Sequence, residues 1–158
     1  MEGNKIEAVE NNILRFAITD HGKETGEYLE FDLEDIELPF RLDESYKLHN
    51  ANIEDVKRRL QVLDKKQDSK GKGFMTKNQE EQVRIIQEFY KKEEKALDLF
   101  LGEGATKKML NGRKPYLTMF EDISERIAPI LPQLKLEYSN IVDKIKSKYS
   151  QKEDNVLE

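Results

Sequence analysis

The sequence predicts a mainly α-helical fold with a small N-terminal β-hairpin, an α+β arrangement whose helical part is a bundle of about three long helices and one short helix. The helical prediction comes from positions spaced alternately four and three residues apart: Leu42, Tyr46, His49, Ile53, Val56, Leu60 and Leu63. Side chains at this spacing lie along one stripe of an α-helix, where they pack against another helix. Three further segments show the same spacing, whereas a period of two near the N-terminus indicates the hairpin.

The hairpin is predicted within residues 13–41, after a loose N-terminus at 1–12. Apolar and polar residues alternate there in two segments, whose apolar positions are Leu14, Phe16, Ile18, Leu29, Phe31 and Leu33. Residues 20–26 contain two glycines, which supply the backbone angles of a turn. Pro39 ends the region because proline cannot donate to a strand ladder. Since an isolated hairpin is marginally stable in water, its apolar face is expected to lie on the helices or on a partner.

The helical region is predicted to span residues 42–149, with its first helix at about 42–66. A flexible polar linker is predicted near residues 67–75, which are rich in lysine and glycine. A second helix then begins near Thr76, because Thr76 with Gln79 three residues later matches a capping box.

Glycine and proline set the remaining boundaries. Gly102 is expected to end the second helix. Pro129 and Pro132 must kink or end the helix in which they lie. The remaining predicted segments are a short helix at 106–110, a third helix after Pro115, a last helix at 134–149 and a disordered polar tail at 150–158. At 158 residues, the whole chain, 1–158, is expected to form a single domain.

The charge of the chain is unevenly distributed. Its formal net charge is −5, and 37% of its residues are charged. Residues 1–45 hold 4 basic and 13 acidic side chains, a net charge of −9, and residues 46–158 therefore carry a net charge of +4. Nucleic acid is not expected as a partner at this overall charge. Lysines in and beside the linker are the best nucleic-acid candidates, but a mobile solvated loop is the favoured interpretation: Lys65, Lys66, Lys70, Lys72 and Lys77.

The sequence contains no recognisable catalytic or metal-binding motif. It has no cysteine and only two histidines, which lie far apart. Residues 102–108 are only faintly similar to a phosphate-binding loop and place a glutamate where an anion would sit. The acidic residues between 27 and 37 lack the order of a calcium loop and are expected to form a solvated strand face. We therefore predict no catalytic, cofactor-binding or metal-binding residues, and a protein that is not an enzyme.

Hydropathy and the N-terminal residues bear on localisation. No apolar stretch approaches the roughly 20 residues of a membrane-spanning helix. The N-terminus lacks the basic start and apolar run of a signal peptide. Together with the absence of cysteine, these features lead us to expect a soluble protein of the cytoplasm with no membrane partner.

Several segments together resemble a family of phage proteins. They are Glu30-Phe31-Asp32-Leu33 leading to Leu38-Pro39-Phe40, Lys70-Gly71-Lys72-Gly73, Glu88-Phe89-Tyr90, Phe100-Leu101-Gly102-Glu103-Gly104, and Tyr116-Leu117-Thr118-Met119-Phe120. In these segments the chain is similar to small helical proteins encoded in the tail gene clusters of long-tailed phages and prophages of Gram-positive bacteria. Members of that group are assigned as tail assembly chaperones, often from gene position.

This resemblance implies a non-enzymatic protein of the bacterial host's cytoplasm that binds the helical tape-measure protein through apolar heptad faces, with a second copy of the chain as a further candidate partner. The alternatives are a phage-encoded inhibitor of a host factor and a structural component of the tail. The helical stripes could all pair inside one bundle, or the 42–63 stripe could stay partly available to a partner. His49 on that stripe is interpreted as a tolerated, partly exposed position. The predicted partner-binding residues are Tyr46, Ile53, Val56, Leu60, Leu63, Tyr90, Leu97 and Phe100.

Overall fold

A computed structural model describes residues 3–9 and 12–157, with side chains described as far as residue 150. Within these ranges the chain forms two strands and five helices, which confirms the mainly helical fold with an N-terminal hairpin. The elements are β1 Ile13–Asp20, β2 Lys23–Asp32, α1 Leu38–Asp64, α2 Lys77–Leu101, α3 Ala105–Leu110, α4 Met119–Ile127 and α5 Ile130–Leu157. Of the predicted loose N-terminus, the described residues have no regular secondary structure, whereas residues 1, 2, 10 and 11 lie outside the described part.

The hairpin turn is tighter than the sequence predicted. β1 and β2 are antiparallel, and Asp20 pairs with Lys23, so that only His21 and Gly22 form the loop. Both have positive φ, 49° and 79°, as a two-residue turn of the type favoured in hairpins requires. Gly26, which the sequence analysis placed in the turn, lies within β2 at φ 88° where the strand register shifts. The positive φ of Gly26 therefore belongs to a β-bulge, and the second strand begins at Lys23, inside the predicted turn.

The first two helices start with different signals. α1 begins at Leu38, before the predicted position, because Pro39 falls in the first turn, where the missing N–H has no helical partner to lose. α2 has the predicted capping box: the Thr76 hydroxyl accepts from Gln79 N at 3.2 Å, and Gln79 Oε1 accepts from Thr76 N at 2.9 Å. The predicted helix end at Gly102 is also confirmed, with φ 108° at that residue.

The prolines near residue 130 separate two helices. α4 ends at Ile127, a turn follows at Ala128 and Pro129, and α5 starts at Ile130 with Pro132 in its first turn. The prediction of a last helix at 134–149 was too short at both ends, since α5 continues through Leu157. The sequence contains no glycine or proline after Pro132 that would end a helix. The predicted disordered tail is thus helical as far as Leu157, and residue 158 lies outside the described part.

The main core forms where the hairpin meets the helices. The buried face of the hairpin packs on the C-terminal part of α2, on α3 and α4, and on the start of α5. Phe31 is central, with ring centroids 6.0 Å from Phe16 and 5.7 Å from Phe100. Tyr90 packs edge-on against Phe120 at 5.0 Å. The apolar face of the hairpin is therefore covered by the chain's own helices, one of the two alternatives expected from its marginal stability alone.

The α1–α2 pair extends away from this core. The two helices run antiparallel, and polar contacts cross between them at Ser45 Oγ to Ala96 O, 2.6 Å, and Arg59 to Glu88, 2.5 Å. Farther from the core along the two helices, Leu63 of α1 and Ile85 of α2 are buried outside the main core cluster. At 1.5 Å per residue, the start of α2 lies about 35 Å from Phe100. The loop that joins α1 to α2 is therefore distant from the hairpin.

Candidate partner-binding surface

The structure separates the predicted partner-binding residues into three environments. Leu63 and Phe100 are buried, and Tyr90 and Leu97 pack against the core cluster. Ile53, Val56 and Leu60 are half-buried along α1. Tyr46 is 66% exposed and presents its ring to solvent. Of the eight residues, Tyr46 is the one whose side chain offers most of its surface to another molecule.

A buried carboxylate lies on the inner side of the same stripe. Glu93 of α2 is 7% exposed, accepts a hydrogen bond from Asn52 Nδ2 at 3.0 Å, and has its Oε2 2.7 Å from His49 Nδ1. The His49 side chain is 48% exposed, in agreement with the partly exposed position that was predicted. It also has a structural partner that the sequence did not indicate. This polar pair sets the register between α1 and α2 because a buried carboxylate must be hydrogen-bonded.

An apolar groove lies between the start of α1 and the start of α5. It encloses about 320 Å³ and is called the α1–α5 groove here, lined by Leu38, Pro39, Leu42, Leu131, Leu134, Lys135 and Tyr138. Lys135 contributes the one charged group to this lining, and among the described residues no carboxylate lies within ion-pair distance of its ammonium. Leu131 is 42% exposed at the edge of the groove. Tyr46 lies one helical turn beyond Leu42 on α1, which extends the apolar surface.

Sequence reasoning missed this groove because its walls come from helices distant in the chain. The predicted last helix began at residue 134 and therefore included Leu134 and Tyr138 but not Leu131. Leu131, Leu134 and Tyr138 are spaced three and four residues apart, so the α5 wall carried a usable signal. The other wall depended on α1 beginning at Leu38, which was predicted to lie outside the helix.

The loop with faint similarity to a phosphate-binding loop is occupied by a side chain of the protein. Asp98 Oδ1 accepts from Thr106 N at 3.0 Å and from Thr106 Oγ1 at 2.8 Å, and its Oδ2 accepts from Gly104 N at 3.3 Å. Backbone N–H groups that a phosphate would use are thus already bound to a carboxylate. This loop connects α2 to α3 and is a structural element.

A polar cluster connects the hairpin turn to the segment after α3. Arg113 binds Asp20 through two nitrogens, at 2.7 and 2.9 Å, and Asn111 Nδ2 donates to the same carboxylate at 2.7 Å. Next to it, Tyr116 donates to Asp122 at 2.8 Å, and this hydrogen bond raises the pKa of the Tyr116 hydroxyl. The cluster lines a cleft of about 310 Å³. Its charges are largely paired with one another, so its evident role is to fix the hairpin on the helices.

This cluster gives the stability a predicted pH dependence. The hydrogen bonds from Arg113 and Asn111 hold the pKa of Asp20 well below its ordinary range. A carboxyl group with a lower pKa in the folded state stabilises the fold above its unfolded pKa, and this contribution is lost as the pH falls through the folded pKa. Asp20→Asn should therefore lower the Tm near neutral pH, and the difference from wild type should shrink below about pH 4.

Thermal unfolding followed by circular dichroism across the acidic range measures this effect. Glu24→Gln, which removes an exposed carboxylate from the strand after the same turn, is the matched control and should leave the Tm nearly unchanged. A difference between Asp20→Asn and wild type that stays constant down to strongly acidic pH would contradict the prediction.

No helix within residues 3–9 and 12–157 is both long and apolar enough to cross a membrane. In the same part of the chain, no three histidine or acidic side chains are grouped so as to hold a metal ion. In comparisons with known proteins, no family model, curated protein or solved structure matches this chain.

Proposed function

We propose that this protein is a non-enzymatic tail assembly chaperone of a long-tailed phage or prophage, and that it binds an amphipathic helix of the tape-measure protein in the α1–α5 groove. The groove is the observation that supports this proposal. It is walled by apolar side chains of two helices, and Leu131 at its edge remains 42% exposed. Grooves of this kind bind the apolar face of a partner helix through residues spaced three or four apart.

The proposed partner has the chemistry that such a groove recognises. A tape-measure protein is long and largely helical, and its apolar faces would associate with one another before the tail tube surrounds it. One turn of its apolar stripe would fill the groove, and a second would contact Tyr46. The ammonium of Lys135 at the groove favours a partner helix with an acidic residue beside its apolar stripe, since this pair would be partly shielded from water. Binding would take place in the cytoplasm of the bacterial host, where tails assemble.

The 42–63 stripe has a divided role under this proposal. Tyr46 contacts the partner, and Ile53, Val56 and Leu60 offer their exposed edges to it. Leu63 and Phe100, which are buried, support the surface from within. Tyr90 and Leu97 have the same supporting role because they pack against the core. The proposal thus moves the centre of the predicted site from the middle of α1 to its beginning.

Affinity capture from phage-producing cells tests the proposal. Tagged wild-type protein should enrich a long helical tail protein. Leu131→Asp and Tyr46→Asp should each reduce its capture at least about tenfold, because each places a carboxylate against the apolar stripe of the partner. Val62→Asp is the matched control, because Val62 is 66% exposed like Tyr46 but lies near the far end of α1. Circular dichroism of each variant establishes that the helices are intact.

The competing functions give different results in the same experiment. Capture of a host protein without any tail protein would overturn the chaperone proposal in favour of an inhibitor. Recovery of this chain in purified particles would indicate a structural tail component. Equal loss of capture in Val62→Asp and Leu131→Asp would show that the α1–α5 groove is not the binding surface, even if the partner is correct.

A further inference from the structure

The loop between α1 and α2 is a folded structure. The Asp68 carboxylate accepts from Ser69 N at 2.7 Å and from Asn78 N at 3.0 Å, while Asn78 Nδ2 donates to Lys66 O at 2.9 Å. Lys77 N also donates to Ser69 O at 3.0 Å, which closes the loop onto the start of α2. A side chain at Gly71 would collide with the carbonyl oxygen of Met75. The segment that was predicted to be a flexible linker is thus closed by hydrogen bonds at both ends.

This loop presents an aromatic ring and several lysines together. Phe74 is fully exposed, although its side chain is a large apolar ring. Five lysines at or beside the loop have no carboxylate within 4.0 Å among the described residues. They are Lys65, Lys66, Lys70, Lys72 and Lys77. We call Phe74 with these lysines the basic tip.

The basic tip contrasts electrically with the rest of the protein. Residues 65–77, which include the basic tip, contain five basic side chains and one acidic side chain, a net charge of +4, although the whole chain carries −5. The acidic side chain is Asp68, whose pKa is lowered by the loop hydrogen bonds, so it stays ionised and is included in this count. At about 35 Å from the core, the tip is separated from the acidic hairpin by several Debye lengths at physiological salt. Its positive potential is therefore little reduced by the net charge of the molecule.

We propose that the basic tip binds single-stranded nucleic acid, with the lysines contacting backbone phosphates and Phe74 stacking on a base. Proteins that bind single strands combine a positive surface with exposed aromatic rings in this way. A duplex would satisfy the lysines but would leave Phe74 without a base to stack on. An acidic protein surface could also satisfy the lysines, but every nucleotide of a single strand carries both a phosphate and a base that can stack. The hydrogen bonds at both ends of the loop restrict its backbone before binding, which lowers the entropy lost when a strand binds.

The inference departs from the sequence-based expectation of a solvated loop, for two structural reasons. The hydrogen bonds of Asp68 and Asn78 fold the loop, which the sequence predicted to be mobile. Phe74 is also fully exposed in this loop, a position of the ring that the sequence did not indicate. The site is separate from the α1–α5 groove and does not depend on the proposed chaperone function.

Fluorescence anisotropy with a labelled single-stranded oligonucleotide of about 12 nucleotides tests the inference on the full chain. Phe74→Ala should weaken binding about 5- to 150-fold, the effect of losing one stacked base. Lys70→Glu with Lys72→Glu should weaken it further and reduce the slope of log K against log salt by about 1.4, if each lysine contacts one phosphate. Lys146→Glu with Lys148→Glu on α5 changes the charge by the same amount at exposed positions and should leave that slope unchanged.

Each alternative outcome is distinct. Absence of binding by the wild-type chain at low salt overturns the inference. So does equal loss of affinity in the α5 control, which would show a response to net charge alone. Equal affinity for a duplex, together with no effect of Phe74→Ala, would indicate a general polyanion surface. Stronger binding of polyglutamate than of the oligonucleotide would indicate an acidic protein as the partner. Circular dichroism of every variant separates loss of binding from loss of fold.

Discussion

Phe31→Ala is expected to lower the free energy of unfolding by about 3–5 kcal/mol, the usual cost of removing a large buried aromatic side chain. Phe31 is 2% exposed and joins the hairpin to α2 through Phe100, while Phe16 packs against it from the neighbouring strand. Its removal leaves a cavity at the contact that holds the sheet on the helices. Because a two-stranded hairpin is marginal alone, the strands should separate from the helices early in unfolding.

Urea unfolding followed by circular dichroism and by tyrosine fluorescence measures this loss. Phe40→Ala is the matched control, since Phe40 is 69% exposed at the start of α1 and its truncation should change stability by less than about 0.5 kcal/mol. If Phe31→Ala and Phe40→Ala unfold at the same urea concentration, the hairpin does not contribute to the core as described.

Asp98→Ala is expected to destabilise the protein by about 2–3 kcal/mol. The carboxylate accepts three hydrogen bonds, from Gly104 N, Thr106 N and the Thr106 hydroxyl, and Thr106 is 1% exposed. Removing it leaves donors without an acceptor, and each such buried group costs about 1–3 kcal/mol. Solvent can reach Gly104, which is half-buried, and this limits the total.

Two further variants serve as controls for the stability loss expected of Asp98→Ala. Asp98→Asn keeps one carbonyl oxygen and should lose less stability than Asp98→Ala. Asp43→Ala removes an exposed aspartate that pairs only with Lys47 on the helix surface, so its effect should be below about 0.5 kcal/mol. Equal destabilisation by Asp98→Ala and Asp43→Ala in urea unfolding would show that the loop before α3 does not depend on Asp98.

The local elements were largely predictable because their signals lie within a few residues of one another. Alternation from Leu14 onward indicated both strands, and Thr76 with Gln79 located the start of α2. Prolines were harder to interpret from sequence. Pro39 was predicted to end the hairpin region and Pro132 to kink or end a helix, but both fall in a first helical turn, where proline is tolerated.

The candidate site was less predictable for a related reason. A heptad stripe identifies a surface that packs against something, but it does not distinguish the chain's own helices from another molecule. Leu63 and Phe100 were assigned to a partner and are buried in the chain itself. The α1–α5 groove was not predicted because its two walls are about ninety residues apart in sequence.

The sequence by itself determined the mainly helical class, the N-terminal hairpin and the position of the cap at Thr76, because periodicity and capping depend on short-range backbone geometry. Only the tertiary structure decided that the hairpin face is covered by α2 through α5, that Glu93 is enclosed beside His49, and that Leu38 and Leu131 form one groove. It also decided that hydrogen bonds fold the lysine-rich loop between α1 and α2, with Phe74 fully exposed. These features depend on which surfaces meet when the chain packs. The hydrophobic effect is not directional, so the sequence of one apolar face does not specify which other face will cover it.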